Sequence, residues 1–394
     1  MRLIHTSDWH LGRRLHDHSL IEAQAHALDQ IARLCLDEGA DALLVAGDLF
    51  DRAVPPEEAV RLFNDFLLRM SKDVRIPVVA IAGNHDSAER LGFASDFLAL
   101  GRIHLRTRLS DRAEPVVIEA GGEVLHVYAL PYVEPLRVRA ELQDESLRGH
   151  EEAIRAALRR VRERLQPGTP SVLMAHLFAS GGSESPDSER SLEIGGAAQV
   201  SAEALDGFSY VALGHLHAPQ RVAGREDIRY SGSLLKYSVG EANQRKGVTL
   251  VELGRGPLAV REVPLTPLKD VVRLEGSLHD LLHAPDFERV RGDFVEAIYT
   301  DTGHLLDVAS RLRERFPNLL AARPRALLLE AAVERATPRP ELALRDTREL
   351  LEGFWSHVLQ ESAPLDESHH AVFREVVGRL ERHEDPDADA QEAA

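Results

Sequence analysis

Five short segments of the chain place His, Asp or Asn at the end of an apolar run. They are Ser7-Asp8-Trp9-His10, Gly47-Asp48-Leu49-Phe50-Asp51, Gly83-Asn84-His85-Asp86, Ala175-His176 and Gly214-His215-Leu216-His217. Their donors are all nitrogen or oxygen, a chemistry that suits manganese, iron or zinc and excludes a thiolate site. Asp8, His10, Asp48, Asn84, His176, His215 and His217 are seven candidate metal ligands, too many for one ion. They fit two divalent cations sharing one carboxylate. Such a pair, about 3.5–4 Å apart, clamps both oxygens of an in-line phosphoryl displacement.

Each segment alone has a plainer explanation. Gly47-Asp48 is a turn signal. Asn84 is a residue type that tolerates left-handed backbone. Together, five such clusters closing five apolar runs are not something that packing requires. Gly47, Gly83 and Gly214 allow sharp backbone turns beside the donors.

The elements that must position these residues follow from periodicity. Residues 2–6, 41–46 and 76–82 read as strands, with helices over 20–36 and 56–70. Pro55-Pro56 before Glu57-Glu58 is a helix-start signal. Further strands are expected at 116–119, 124–129, 171–175, 210–213, 228–231, 248–252 and 259–263, with a helix at 149–165 and a polar loop at 180–190. The strands after 115 follow one another closely, which predicts a second, more antiparallel sheet. The fold class is therefore α/β, a layered β-sandwich flanked by helices. Ligands in open sheet folds gather where strands end.

A boundary is expected near 264–267, giving a domain over 1–265. A small α+β capping domain follows over 268–336, with strands at 270–275, 294–300 and 326–333 and helices at 277–283 and 304–316. Thr337-Pro338-Arg339-Pro340 reads as a linker. Helical patterns at 344–359 and 367–382 make 341–383 a helical partner-binding segment, and 384–394 an acidic, disordered tail.

Acidic residues outnumber basic ones by 64 to 47, a net charge of −17 over 394 residues. A DNA-binding domain working alone has the opposite balance. A polyanionic substrate would need bound cations or a basic partner to offset the repulsion. One cysteine, Cys35, excludes an internal disulfide and reads as a buried core thiol. No run is long and apolar enough for a membrane helix, and the N-terminus shows no secretory h-region, so the expected location is cytoplasmic.

The order D-x-H, G-D-x-x-D, G-N-H-D, a lone His after a strand, then G-H-x-H resembles that of the calcineurin-like metallophosphoesterases over about residues 1–235. The stretches HTSDWHLGR, GDLFDRAVPP and IAGNHDS are similar to those of nuclease subunits in that family that work with a coiled-coil ATPase. The resemblance implies one cation held by Asp8, His10, Asp48 and His217. It implies a second held by Asp48, Asn84, His176 and His215, with Asp48 bridging and Mn²⁺ as the metal. It makes His85 the group that protonates the leaving oxygen, oriented by the carboxylate of Asp51 or of Asp86. Arg13 and Arg14 are candidate DNA-backbone contacts, and Trp9 is expected to pack beneath the site. The implied function is a DNA nuclease, exonuclease on duplex ends and endonuclease on single strands or hairpins, in DNA end processing and repair. The implied partners are DNA, the ATPase, and a second copy in a heterotetramer. The alternatives are a generic metallophosphatase or cyclic-nucleotide phosphodiesterase, and a non-catalytic scaffold.

Overall fold

A computed structural model describes residues 1–185, 199–254, 256–302 and 305–326. The polar loop beyond 185 and the segments at 341–383 and 384–394 lie outside the described residues. The chain from Met1 to Pro324 forms one compact unit.

Two six-stranded sheets make its centre. The first runs in the order Ala259–Pro264, Gly247–Glu252, Arg2–Thr6, Ala42–Val45, Val78–Ile81, Ile103–Arg106. The second runs Gln220–Val222, Arg225–Tyr230, Tyr210–Gly214, Ser171–His176, Glu123–Leu130, Val116–Ala120. Each sheet has three parallel and two antiparallel joins. The second sheet is thus not more antiparallel than the first, against expectation. The helix Pro135–Leu142 and the helix His150–Arg162 intervene before Ser171–His176, so that strand joins Glu123–Leu130 in parallel.

Strand periodicity sorts the side chains into layers. Leu3, Leu44, Val79, Met174 and Ala212 alternate toward the space between the sheets. Ile4, Leu43, Val45 and Ala80 face the outer layer of helices Ile21–Asp37 and Glu57–Arg69. On the far side, Leu173, Val211 and Leu213 meet helix His150–Arg162 through Ile154, Leu158 and Val161. Helix Glu57–Arg69 carries Glu57 and Glu58 in its first turn and buries Ala59, Phe63, Phe66 and Leu67, one stripe at helical spacing. Cys35 is buried, and burial pushes its thiol up to about 12.

His5 is a polar exception between the sheets. Its Nε2 lies 3.1 Å from the Leu213 carbonyl and its Nδ1 3.0 Å from the Tyr210 hydroxyl. A carbonyl only accepts, so Nε2 carries the proton and Nδ1 accepts from Tyr210. Burial lowers the imidazole to about 3.

A smaller parallel sheet, Val271–Gly276, Phe294–Tyr299 and Leu319–Pro324, carries helices Leu278–His283 and Val308–Arg315 on its own core of Leu281, Val295, Leu312 and Phe316. Val271 and Phe294 instead join the larger core. The sequence pattern places the third strand at 326–333. It lies earlier, where Leu319–Pro324 pairs with Phe294–Tyr299 and ends at a proline, which has no N–H for a further ladder bond. Arg325 and Ala326 are already helical, and the rest of that expected strand lies outside the described residues. No helix among the described residues is long and apolar enough to cross a membrane.

Candidate active site

The five donor segments follow strands Arg2–Thr6, Ala42–Val45, Val78–Ile81, Ser171–His176 and Tyr210–Gly214. Their parallel pairing within each sheet brings the C-terminal ends of all five strands to one edge of the sandwich. Backbone bonds knit the turns together: Asp8 N–H to Gly47 O at 3.0 Å, His10 N–H to Asp48 O at 2.9 Å and Leu11 N–H to Leu49 O at 2.9 Å. The Asp86 carboxylate accepts from the N–H groups of Gly83 (2.9 Å), Leu49 (3.1 Å) and Phe50 (2.9 Å), tying two of the turns. Burial first, then the Asp48 charge, pushes this carboxyl up to about 7 against those three donors.

Asp8, His10, Asp48 and His215 all have positive φ, between 43° and 117°. Such backbone costs of order 1–3 kcal/mol per non-glycine residue and persists where its surroundings over-determine it. Here the surroundings are tight. A Cβ on Gly47, itself at φ 95°, would collide with His176 Nδ1, and one on Gly83 would collide with Asp48 Oδ1.

The donors converge. His10 Nε2 lies 3.1 Å from His217 Nε2, and Asp8, His10 and His217 offer ligand atoms within 4.8 Å of one another. Asp8, Asp48 and His176 form a second such group. Asp48 Oδ2 is 3.6 Å from His10 Nε2 and 3.6 Å from His176 Nε2. Asn84 Oδ1 lies 2.9 Å from His176 Nε2 and 3.3 Å from His215 Nδ1. Burial first, then neighbouring histidines, holds His10 and His215 well below the usual imidazole range; burial also lowers His176. Neutral imidazoles are the ligand form. His10 Nδ1 and His215 Nε2 are buried without a hydrogen-bond partner among the described residues. Crowded nitrogen and oxygen donors and lowered imidazoles fit divalent cations.

A family model for calcineurin-like phosphoesterase matches residues 1–219, more than half of the chain. The chain belongs to the calcineurin-like phosphoesterases. Members of this family are metal-dependent phosphoesterases. A second model, SbcD_C, described as the type 5 capsule protein repressor C-terminal domain, matches residues 267–358. The two matches make this an SbcD-type metallophosphoesterase. Among solved structures, a dimetal phosphatase from Danio rerio shares 12% identity, covers 67% of this chain and 96% of its own, and has a TM-score of 0.41. The Thermus thermophilus protein TT1561 shares 14% identity over 66% of this chain and 98% of its own, at a TM-score of 0.36. The phosphoesterase YfkN from Bacillus subtilis shares 12% over 66% and 88%, also at 0.36.

Around this donor cluster, the expected neighbours sort themselves. His85 is 9% exposed, with Nε2 4.0 Å from Asp48 Oδ2. Its Nδ1 donates to the main-chain oxygen of Asp51 at 2.8 Å. Neither expected carboxylate orients it: Asp86 is occupied by three backbone N–H groups, and Asp51 contributes through its carbonyl. The Asp51 carboxylate instead lies 3.7 Å from His10 Nδ1 and 3.6 Å from Arg13 Nη1. Arg13 also sits over the Tyr237 ring at 5.3 Å, so it borders the site. Arg14 does not: it is exposed and its guanidinium bonds the Asp17 carbonyl of its own hairpin. Trp9 is fully buried against Phe63 and Phe66, and its Nε1–H donates to Thr6 Oγ1 at 3.0 Å. It packs and is closed to a base.

Sequence reasoning missed three residues here. The Tyr237 ring stands edge-on to His10 at 5.5 Å and His217 at 5.9 Å. Glu241 Oε1 lies 3.0 Å from His217 Nδ1, and Lys246 Nζ lies 2.5 Å from Glu241 Oε2. Burial opposes ionisation of Glu241, yet the Lys246 ammonium and the His217 hydrogen bond outweigh it and hold the carboxyl well below its usual range. Residues 240–246, GEANQRK, read as a polar turn, with no spacing that ties Glu241 to a histidine 24 positions earlier.

Proposed function

We propose that this chain is the nuclease subunit of a DNA end-processing complex, cutting phosphodiesters with two bound divalent cations. The observation that carries the reading is the placement of Asp48 Oδ2, 3.6 Å from a histidine of each donor group. Asp8, His10, Asp48 and His217 would hold one ion, and Asp48, Asn84, His176 and His215 the other; Mn²⁺ is the proposed metal. When bound, the pair supplies water activation and positive charge against the scissile phosphate. The local charge also answers the net −17 of the chain.

The protein's own groups do the rest. His85 keeps its Nδ1 proton on the Asp51 carbonyl, which leaves Nε2 to bring a proton to the leaving 3′-oxygen. General-acid assistance of this kind contributes about 10²–10⁴-fold. The cut leaves a 5′-phosphate and a 3′-hydroxyl. Arg13, next to the site, is placed to contact the DNA backbone. The proposed activities are exonuclease on duplex ends and endonuclease on single strands and hairpins.

The match over 267–358 supports an SbcC-type coiled-coil ATPase as partner, and the cytoplasm is the proposed location. Phe93, Phe97 and Leu100 are 82%, 74% and 83% exposed. Apolar surface on that scale supports a second copy of the chain, hence a homodimer within a heterotetramer.

The test is cleavage of end-labelled blunt and hairpin DNA with Mn²⁺, Mg²⁺ or chelator, with and without the ATPase. Mn²⁺-dependent DNA cleavage stimulated by ATP is the expected result. Hydrolysis of a chromogenic phosphodiester with no action on DNA would favour the phosphatase or cyclic-nucleotide reading.

A further inference from the structure

Glu241 and Lys246 form a buried ion pair, 0% and 7% exposed. Burying two charges costs several kcal/mol per ion, and such a pair is weak support for stability because apolar replacements are often neutral. Its presence next to the donor cluster therefore calls for another account, and the geometry supplies one.

The pair grips His217 from two directions. Glu241 Oε1 meets the ring at Nδ1, and Lys246 Nζ donates to the main-chain oxygen of His217 at 2.7 Å. With an ammonium 2.5 Å from its other oxygen, the carboxylate is ionised and only accepts. The ring proton therefore sits on Nδ1, and Nε2 presents its lone pair toward His10 Nε2, 3.1 Å away. The edge of Tyr237 limits tilting of the ring. The turn itself is fastened down: Lys236 Nζ donates to Ala242 O at 2.7 Å and lies 2.9 Å from Asp270 Oδ1, just before the small sheet's first strand.

We infer that Glu241 and Lys246 are positioning residues that fix the tautomer and direction of His217 as a metal ligand. The inference rests on the two-cation reading above and adds a device that the donor set does not contain. Carboxylates that orient metal-bound histidines change metal affinity by about 10–100-fold when removed.

The decisive variant is the double replacement Glu241→Gln with Lys246→Met, which removes both charges and keeps their bulk. Metal-stripped full-length protein is titrated with Mn²⁺ by calorimetry, and nitrogen NMR of histidine-labelled, metal-free wild type reads the His217 tautomer. The expected results are an unchanged melting temperature, Mn²⁺ affinity lowered about 10–100-fold at one of two sites, activity regained at raised Mn²⁺, and an Nδ1–H tautomer in the wild type. An affinity within about twofold of wild type in the folded variant overturns the inference, as does an Nε2–H tautomer. If the double variant does not fold, the wild-type tautomer decides alone. A wild type that binds no divalent cation defeats the proposed function, and the tautomer still decides this inference.

Discussion

The main-chain N–H of His85 donates to Asp48 Oδ1 at 2.9 Å, while Asp48 Oδ2 faces His10 and His176. One carboxylate thus spans the donor groups with one oxygen and holds the loop that carries His85 with the other.

Asp48→Ala removes both functions. Metal content by plasma mass spectrometry is expected to fall from about two ions per chain to below one, with loss of cleavage. Retention of both ions would show that Asp48 is not the bridge. Asp48→Asn keeps an acceptor for His85 N–H, so it should fold at least as well as the alanine variant while still losing metal.

His85→Ala separates holding from chemistry. Metal content and DNA affinity are expected to stay, while cleavage falls by about two orders of magnitude or more. A substrate whose leaving group needs no proton should lose less. A fall in metal content would make His85 a ligand instead.

Trp9→Ala is expected to destabilise the protein by about 3–5 kcal/mol, since a fully buried indole is removed from beside Phe63 and Phe66. Urea denaturation measures this. Unchanged stability with weakened single-strand binding would mean that the ring meets bases after all.

His5 makes stability depend on pH in a stated direction. Its folded value, about 3, lies below its unfolded value near 6.5, so the unfolded chain binds the extra proton. The contribution is whole above pH 6.5 and shrinks as pH falls, by about 1.4 kcal/mol per unit between about pH 6 and pH 4. The buried site histidines add slope of the same sign, so the comparison is between wild type and His5→Gln, both metal-free. The variant should show the shallower loss in urea denaturation at pH 7, 6 and 5; equal slopes would refute the assignment.

Deleting residues 341–394 is expected to leave Mn²⁺-dependent single-strand endonuclease activity, because every donor lies in the compact unit ending at Pro324. Co-purification with the ATPase and ATP-dependent stimulation should be lost. An unchanged pull-down would place the docking surface elsewhere.

Most of the sandwich was legible because its strands are short apolar runs closed by Gly, Asp or His, and its large helices carry clean stripes. The convergence of these polar residues was legible for the same reason: each sits where an apolar run stops. What sequence hid was contact between distant turns. Nothing local says that Asp51 serves His85 by its carbonyl, since main-chain acceptors carry no residue signature. Nor does a polar turn announce that Glu241 reaches His217. The strand Leu319–Pro324 was obscured because a longer apolar stretch, Ala326 to Val333, follows it.

The division of donors between the sheets has one more consequence. Asp8, His10, Asp48 and Asn84 come from the first sheet, and His176, His215 and His217 from the second. On the proposed assignment, neither sheet alone would own a complete coordination sphere. If these residues hold the cations as proposed, tight metal uptake would be a readout of assembly, a rivet through both halves of the sandwich that holds only when the two have closed face to face. Metal-dependent protection from proteolysis would report that closure directly, without any substrate.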